Sequence, residues 1–208
     1  MRPAFRLVLL TPPAPHPQER AVIECWLEGA PDTRLHLRRP GWSRSETAAW
    51  LRQLPAAWLP RIVLHAYPEL AREFAVGGCH LTAAARAAGP RPVLPPGTTL
   101  STALHTLDEV QAEAAGYDYV LLSPVFDSIS KSGYEAAFSL EAVVHQLRQL
   151  PQARVLALGG VTAAHLLPLR AAGFAGAAML GSVWQAPNPL AAAQELLRAA
   201  DTLFSAAE

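Results

Sequence analysis

Histidines 36, 65 and 80 each sit at or near the end of a short apolar run, in the stretches "TRLHLRR", "RIVLH" and "GCHL". An imidazole with an ordinary pKa near 6.5 can both give and take a proton near neutral pH, so residues of this type gathered in one place suit general acid–base chemistry. Two glycine-containing turns carry a second kind of chemistry. Gly159-Gly160 and Gly181-Ser182 follow two further apolar runs, where the missing side chain lets backbone N–H groups approach an anion. Either turn alone could be only a tight bend; two in succession point to phosphate. Other polar residues at the ends of such runs are Arg38 and Arg39, Ser101 and His105, then Ser128, Ser130 and Lys131. Lys131 is the only lysine of the chain, in a protein whose other basic side chains are arginines.

These residues need elements that bring them together. Eight strand candidates begin at Phe5, Thr33, Arg61, Gly78, Thr98, Tyr117, Arg154 and Ala175, and amphipathic helical stretches lie between them, from "QERAVIECWLEGA" to "PLAAAQELLRAADTLF". Alternating β and α units fold right-handed with helices on the sheet faces, and eight units predict a closed (β/α)8 TIM barrel. At about 26 residues per unit the 208-residue chain is small for that fold. A doubly wound open sheet is the alternative. One domain, 1–208, is expected, with "GPRPVLPPG" as a stiff connection and not a linker. In such a barrel the loops after the strands form one surface, and the loops after strands seven and eight are the usual phosphate site.

Composition narrows the partners. The chain is 51% hydrophobic and 16% charged, with 17 basic and 17 acidic residues, and so lacks the basic stripe of a nucleic-acid binder. No apolar run reaches the length of a membrane span, and the N-terminus lacks the pattern of a secretory signal, so a cytoplasmic address is expected. Cys25 and Cys79 have no metal-binding spacing. The expected partner is a small molecule, with no nucleic acid and no membrane involved.

The stretches "HLRRP", "GCHLT", "LHTLDEVQAEAAGYDYVLLSPVFDSISKSGY" and "VLALGGVTAAHLLPLRAAGFAGAAMLGSVW" resemble, in order and over nearly the whole chain, the thiamine-phosphate synthase and TenI (thiazole tautomerase) superfamily. The resemblance implies a (β/α)8 barrel of thiamin biosynthesis that binds a thiazole phosphate at Gly159, Gly160, Gly181 and Ser182. Family synthases hold a pyrimidine diphosphate and its magnesium with Gln-x-Arg-x-Lys after strand two, Asn-Asp after strand three and an Asp after strand four. Here those places carry His36, Arg38 and Pro40, then His65 and Ala66, then residues around Ala85, so only the arginine is kept. Magnesium prefers hard oxygen ligands, and with the carboxylates missing no cofactor and no metal ligand set is expected. The family's Thr-x-Thr-Lys after strand six is matched by Ser128, Ser130 and Lys131, which the resemblance makes anion contacts. Tautomerases place their acid–base histidine just before the "VF" pair, where this chain has Pro124. The resemblance thus leaves three readings open: a tautomerase using His65, His80 or His36, with His65 the preferred residue; a synthase with an altered diphosphate site; or a noncatalytic phosphate-ligand-binding relative.

Overall fold

The computed structural model describes residues 5–126 and 139–205. Eight parallel strands close on themselves in sequence order, so the open-sheet alternative falls away. They are β1 (Arg6–Leu10), β2 (Arg34–Leu37), β3 (Ile62–Leu64), β4 (Gly78–Leu81), β5 (Thr99–Leu104), β6 (Tyr119–Leu122), β7 (Val155–Leu158) and β8 (Gly176–Met179). Closure is made by β8 against β1, with Arg6 opposite Gly176 and Leu9 opposite Met179. The helices are α1 (Glu19–Gly29), α2 (Arg44–Arg52), α3 (Leu70–Phe74), α4 (Ala83–Ala87), α5 (Leu107–Glu113), α6 (Leu140–Gln149), α7 (Leu166–Ala171), α8 (Gly181–Trp184) and α9 (Pro189–Ser205). Each strand candidate corresponds to an observed strand. The four-residue α8 and the 3₁₀ turn at Ala56–Arg61 are elements that the sequence pattern misses. Among the described residues no helix is long and apolar enough to cross a membrane.

The apolar stripe of α1, with Val22, Ile23, Trp26 and Leu27 at helical spacing, shows why the helices cover the sheet. Trp26 is wholly buried, worth about 1.5–3 kcal/mol in apolar transfer, and its indole N–H donates to the Arg34 carbonyl at 3.1 Å. Helix starts are set locally. Ser43 with Glu46 opens α2 and Thr106 with Glu109 opens α5, each as a capping box that satisfies otherwise orphaned N–H groups.

Inside the barrel the strands divide into two halves. From β6, β7, β8 and β1 come Tyr119, Leu121, Leu156, Ala178, Val8 and Leu10, one buried cluster that is apolar apart from the phenol hydroxyl. From β2, β4 and β5 come the buried polar residues His36, His80 and Ser101. The N-terminal end of the barrel is plugged by Arg34, which donates to the Gly77 carbonyl and to Thr99 Oγ1, both at 3.2 Å, while the Arg6 guanidinium lies 5.9 Å from the Tyr119 ring centre.

Candidate active site

His36, His65 and His80 come from three adjacent strand positions and meet. One ring nitrogen of each lies within 4.8 Å of the others. Between His36 Nδ1 and His65 Nε2 the distance is 3.0 Å, and the His65 and His80 rings stack with centres 4.2 Å apart. His36 is placed differently from the strand-end expectation. It lies within β2, fully buried, where its Nε2 is 2.6 Å from the Tyr119 hydroxyl. His80 is buried too, with Nδ1 3.0 Å from Ser101 Oγ. Half-buried His65 is the most open of the three, and its backbone N–H pairs with the Leu37 carbonyl just beyond β3.

The site is electrostatically hostile to a further positive charge. Burial, then the neighbouring histidines and the charges of Arg34 and Arg6, hold His36 well below its ordinary pKa. For His65 the causes are burial, then His80 and Arg38. His80 is brought down to about 3 by burial and then by Arg38. All three rings are therefore neutral near pH 7. Burial also pushes the Tyr119 hydroxyl up to about 12, although a hydrogen bond with Ser101 and the charges of Arg34 and Arg6 work the other way.

Arg38 belongs to the rim. Its side chain is exposed, while its backbone is clasped by the fully buried Thr11: the Arg38 N–H donates to Thr11 Oγ1 at 2.9 Å and the Thr11 hydroxyl donates to the Arg38 carbonyl at 3.1 Å. Arg39 points elsewhere. It is buried, pairs with Glu19 and lies over Trp42, and so has a packing role. His105 is exposed at the end of β5, and its Nδ1 donates to the Ser123 carbonyl at 2.8 Å.

The two glycine turns expected to meet phosphate follow β7 and β8. Gly159 and Gly160 have φ of +93° and +63°, a region that side chains disfavour. At Gly159 packing demands glycine as well, because an added Cβ would come within 2.9 Å of Pro124. The Val125 and Phe126 N–H groups donate to the Leu158 and Gly159 carbonyls at 3.0 and 3.2 Å, which ties the end of β6 to the β7 turn. Gly181 and Ser182 open α8, and Ser182 Oγ is buried with no hydrogen-bond partner among the described residues. Ser128, Ser130 and Lys131 lie outside the described residues. Thr162 and His165 serve the chain locally: the Thr162 N–H donates to His165 Nδ1 at 3.1 Å, and the His165 ring stacks on Phe126. A surface concavity of about 410 Å³ on α6, lined by Glu141, Val144, His145 and Arg148, contains none of these groups.

A barrel with a polar cluster and glycine turns at strands seven and eight is shared by many enzymes, so sequence relationship decides the family. The model of the thiamine monophosphate synthase family, which includes TenI, matches residues 7–183. The chain belongs to this family. A thiamine-phosphate synthase from Bacteroides fragilis is 28% identical over 142 residues, 65% of this chain and 70% of that protein. Another from Bacillus velezensis is 35% identical over 97 residues, so that match spans 46% of this chain and 43% of the relative. Among solved structures, thiamine phosphate pyrophosphorylase from Bacteroides thetaiotaomicron aligns with a TM-score of 0.76 at 27% identity, over 96% of this chain and 98% of that one. Within the family frame, sequence reasoning finds the three histidines but misses Tyr119. Its place in "YDYVLLS" reads as ordinary strand, and only the side-chain alternation Tyr119, Leu121, Ser123 hints at a shared face.

Proposed function

We propose that this chain is an enzyme of thiamin biosynthesis that binds a phosphorylated thiazole, its phosphate at the β7 and β8 turns and its ring toward the histidine cluster. The observation that carries this reading is a pair of features in one barrel: three neutral imidazoles meet at β2 to β4, and an unpartnered buried hydroxyl, that of Ser182, follows β8, which is separated from β2 by β1 alone. An unsatisfied buried hydroxyl costs about 1–3 kcal/mol, and a ligand oxygen would relieve it. Gly159, Gly160, Gly181 and Ser182 hold the phosphate, Arg38 adds charge from the rim, and Ser128, Ser130 and Lys131 are assigned to anion contacts on the resemblance. The chemistry is a proton shift on the thiazole worked by the histidine cluster, with His65 as the member that substrate reaches first. No magnesium is needed for it.

The names of the relatives favour a second reading, condensation of a pyrimidine diphosphate with the thiazole phosphate. That reaction asks for a means of neutralising the departing diphosphate, and His65 and Ala66 stand where the family's Asn-Asp pair would serve. One experiment separates the readings. Purified protein is given thiazole phosphate alone, followed by NMR for the tautomer, and then with pyrimidine diphosphate, with and without magnesium, followed for thiamine phosphate. We expect tautomerisation, a loss of about 10²-fold in His65→Asn with phosphate affinity kept, and a KM raised a few-fold in Ser182→Ala, about the worth of one hydrogen bond. Robust magnesium-dependent condensation would put the synthase in its place. Phosphate binding without either turnover would mark a ligand-binding relative.

A further inference from the structure

One imidazole is enough to move a proton, yet three are gathered here. We propose that His36, His65 and His80 form a binding site for a divalent transition metal, for which zinc is the probe. The proposal deepens the reading of the barrel interior as the reaction centre and rests on it for its functional meaning, but ion binding is measurable without turnover.

The geometry is close to that of a bound ion. With Zn–N bonds of about 2.0–2.1 Å, imidazoles on one ion have ring centres roughly 4.5–5.3 Å apart. The His36 ring centre lies 5.1 Å from that of His65 and 5.3 Å from that of His80. The third spacing, 4.2 Å between His65 and His80, is that of a stacked pair, so half-buried His65 must turn out of the stack for its nitrogen to face the same ion.

The outer hydrogen bonds argue more strongly. A metal-ligating histidine normally donates its other ring N–H to a fixed acceptor, which sets the tautomer. In one placement of hydrogens, His36 Nε2–H donates to the Tyr119 oxygen, His80 Nδ1–H donates to Ser101 Oγ, and the Ser101 hydroxyl donates to the Cys79 carbonyl at 3.3 Å. Both ring N–H groups are then spent outward, and His36 Nδ1 and His80 Nε2 keep their lone pairs. His65 Nε2, already 3.0 Å from His36 Nδ1, is the third ligand atom once its ring carries the proton on Nδ1.

The ligand class follows from the donors. Imidazoles suit zinc, nickel, copper and iron, whereas magnesium wants oxygen, so the missing carboxylates that argue against magnesium do not bear on this site. Exposed Arg38 is near enough for His65 and His80 to feel its charge, and a positive group there would favour an anionic oxygen as a further ligand of the ion. With the three lone pairs on the ion, the proton carrier of the proposed shift would be a zinc-bound water in place of His65 itself, since an open zinc position lowers the pKa of bound water to about 7.

The test is a zinc titration of the full chain after chelator treatment, by calorimetry and by competition with a chromophoric chelator, with cobalt(II) absorption as a coordination readout. We expect one equivalent bound per chain, with Kd in the micromolar range or tighter. His65→Ala and His80→Ala should weaken binding 100-fold or more, and Tyr119→Phe about 10-fold through the lost outer partner. Exposed His145→Ala should change nothing. Circular dichroism selects the folded variants, and His65→Ala, at the most open position, keeps the test available if the buried ones fail to fold. No saturable zinc binding by the wild type, or binding indifferent to His65→Ala, overturns the proposal. Zinc binding without thiazole turnover would leave the metal site standing and remove the proposed activity; turnover without zinc binding, unaffected by chelator, would do the reverse.

Discussion

The two halves of the barrel interior are built to opposite rules. On the β6, β7, β8 and β1 side, Leu121, Leu156, Ala178, Val8 and Leu10 fill space with nothing to satisfy. On the β2 to β5 side, each buried ring or hydroxyl depends on a partner across the strands: His36 on Tyr119 and His65, His80 on Ser101, and Ser101 on the Cys79 carbonyl. Tyr119 joins the halves, its ring in the apolar cluster and its hydroxyl in the polar one. The apolar side is a wall whose stability is spread over many weak contacts, and the polar side is a circuit in which one loss strands a neighbour.

That contrast is open to direct attack. The largest expected effect is in the wall: Leu121→Ala should cost about 2–5 kcal/mol in urea unfolding while the folded fraction keeps its zinc affinity at the histidines. A stability loss accompanied by lost zinc affinity would mean that the halves are not separable. Next comes the joint. Tyr119→Phe keeps the ring and removes one oxygen, leaving His36 Nε2 without its partner, and should cost about 1–3 kcal/mol by the same measurement. A neutral result would show that His36 is held by packing alone. The smallest effect concerns the cap that anchors the end of β5. Hydrogen bonds from the His105 and then the Thr106 backbone, with Arg86 nearby, hold the Glu109 carboxyl below its ordinary value, although its small burial opposes this. A depressed folded pKa means stability that is complete above the unfolded value and is lost as pH falls through the folded one. Glu109→Gln should therefore lower Tm by roughly 1–2 °C at pH 7, with the difference from wild type vanishing as the pH is taken well below 4. An equal difference at both pH values would assign the effect to shape and not to charge.

The eight strands were legible because each is a short apolar run bounded by polar or turn-forming residues, and the barrel followed from their number. The meeting of His36, His65 and His80 was legible for the same reason, since each sits near the end of a strand. Their depth was not. In a parallel strand buried on both faces, as in "YVLL" with all four residues buried, hydrophobicity does not say which side chains face the axis, so neither the burial of His36 nor the role of Tyr119 could be read. Helix α8 escaped because four residues, "GSVW", cannot display a helical period. Arg38 and Arg39 show a different limit. Neighbours of the same type, they point to the rim and to Glu19, a distinction that only the strand's geometry makes.

The clasp of Thr11 on the Arg38 backbone has an evolutionary consequence. Because both main-chain groups of residue 38 are held by Thr11, the residue after β1, the backbone of the strand that carries His36 does not depend on what side chain projects at the rim. A change of side chain at position 38 therefore leaves the backbone of β2 in place and reaches the interior through charge alone, since Arg38 is among the groups that lower His65 and His80. Substitution at this one position can retune the electrostatics of the barrel mouth without rebuilding the strand.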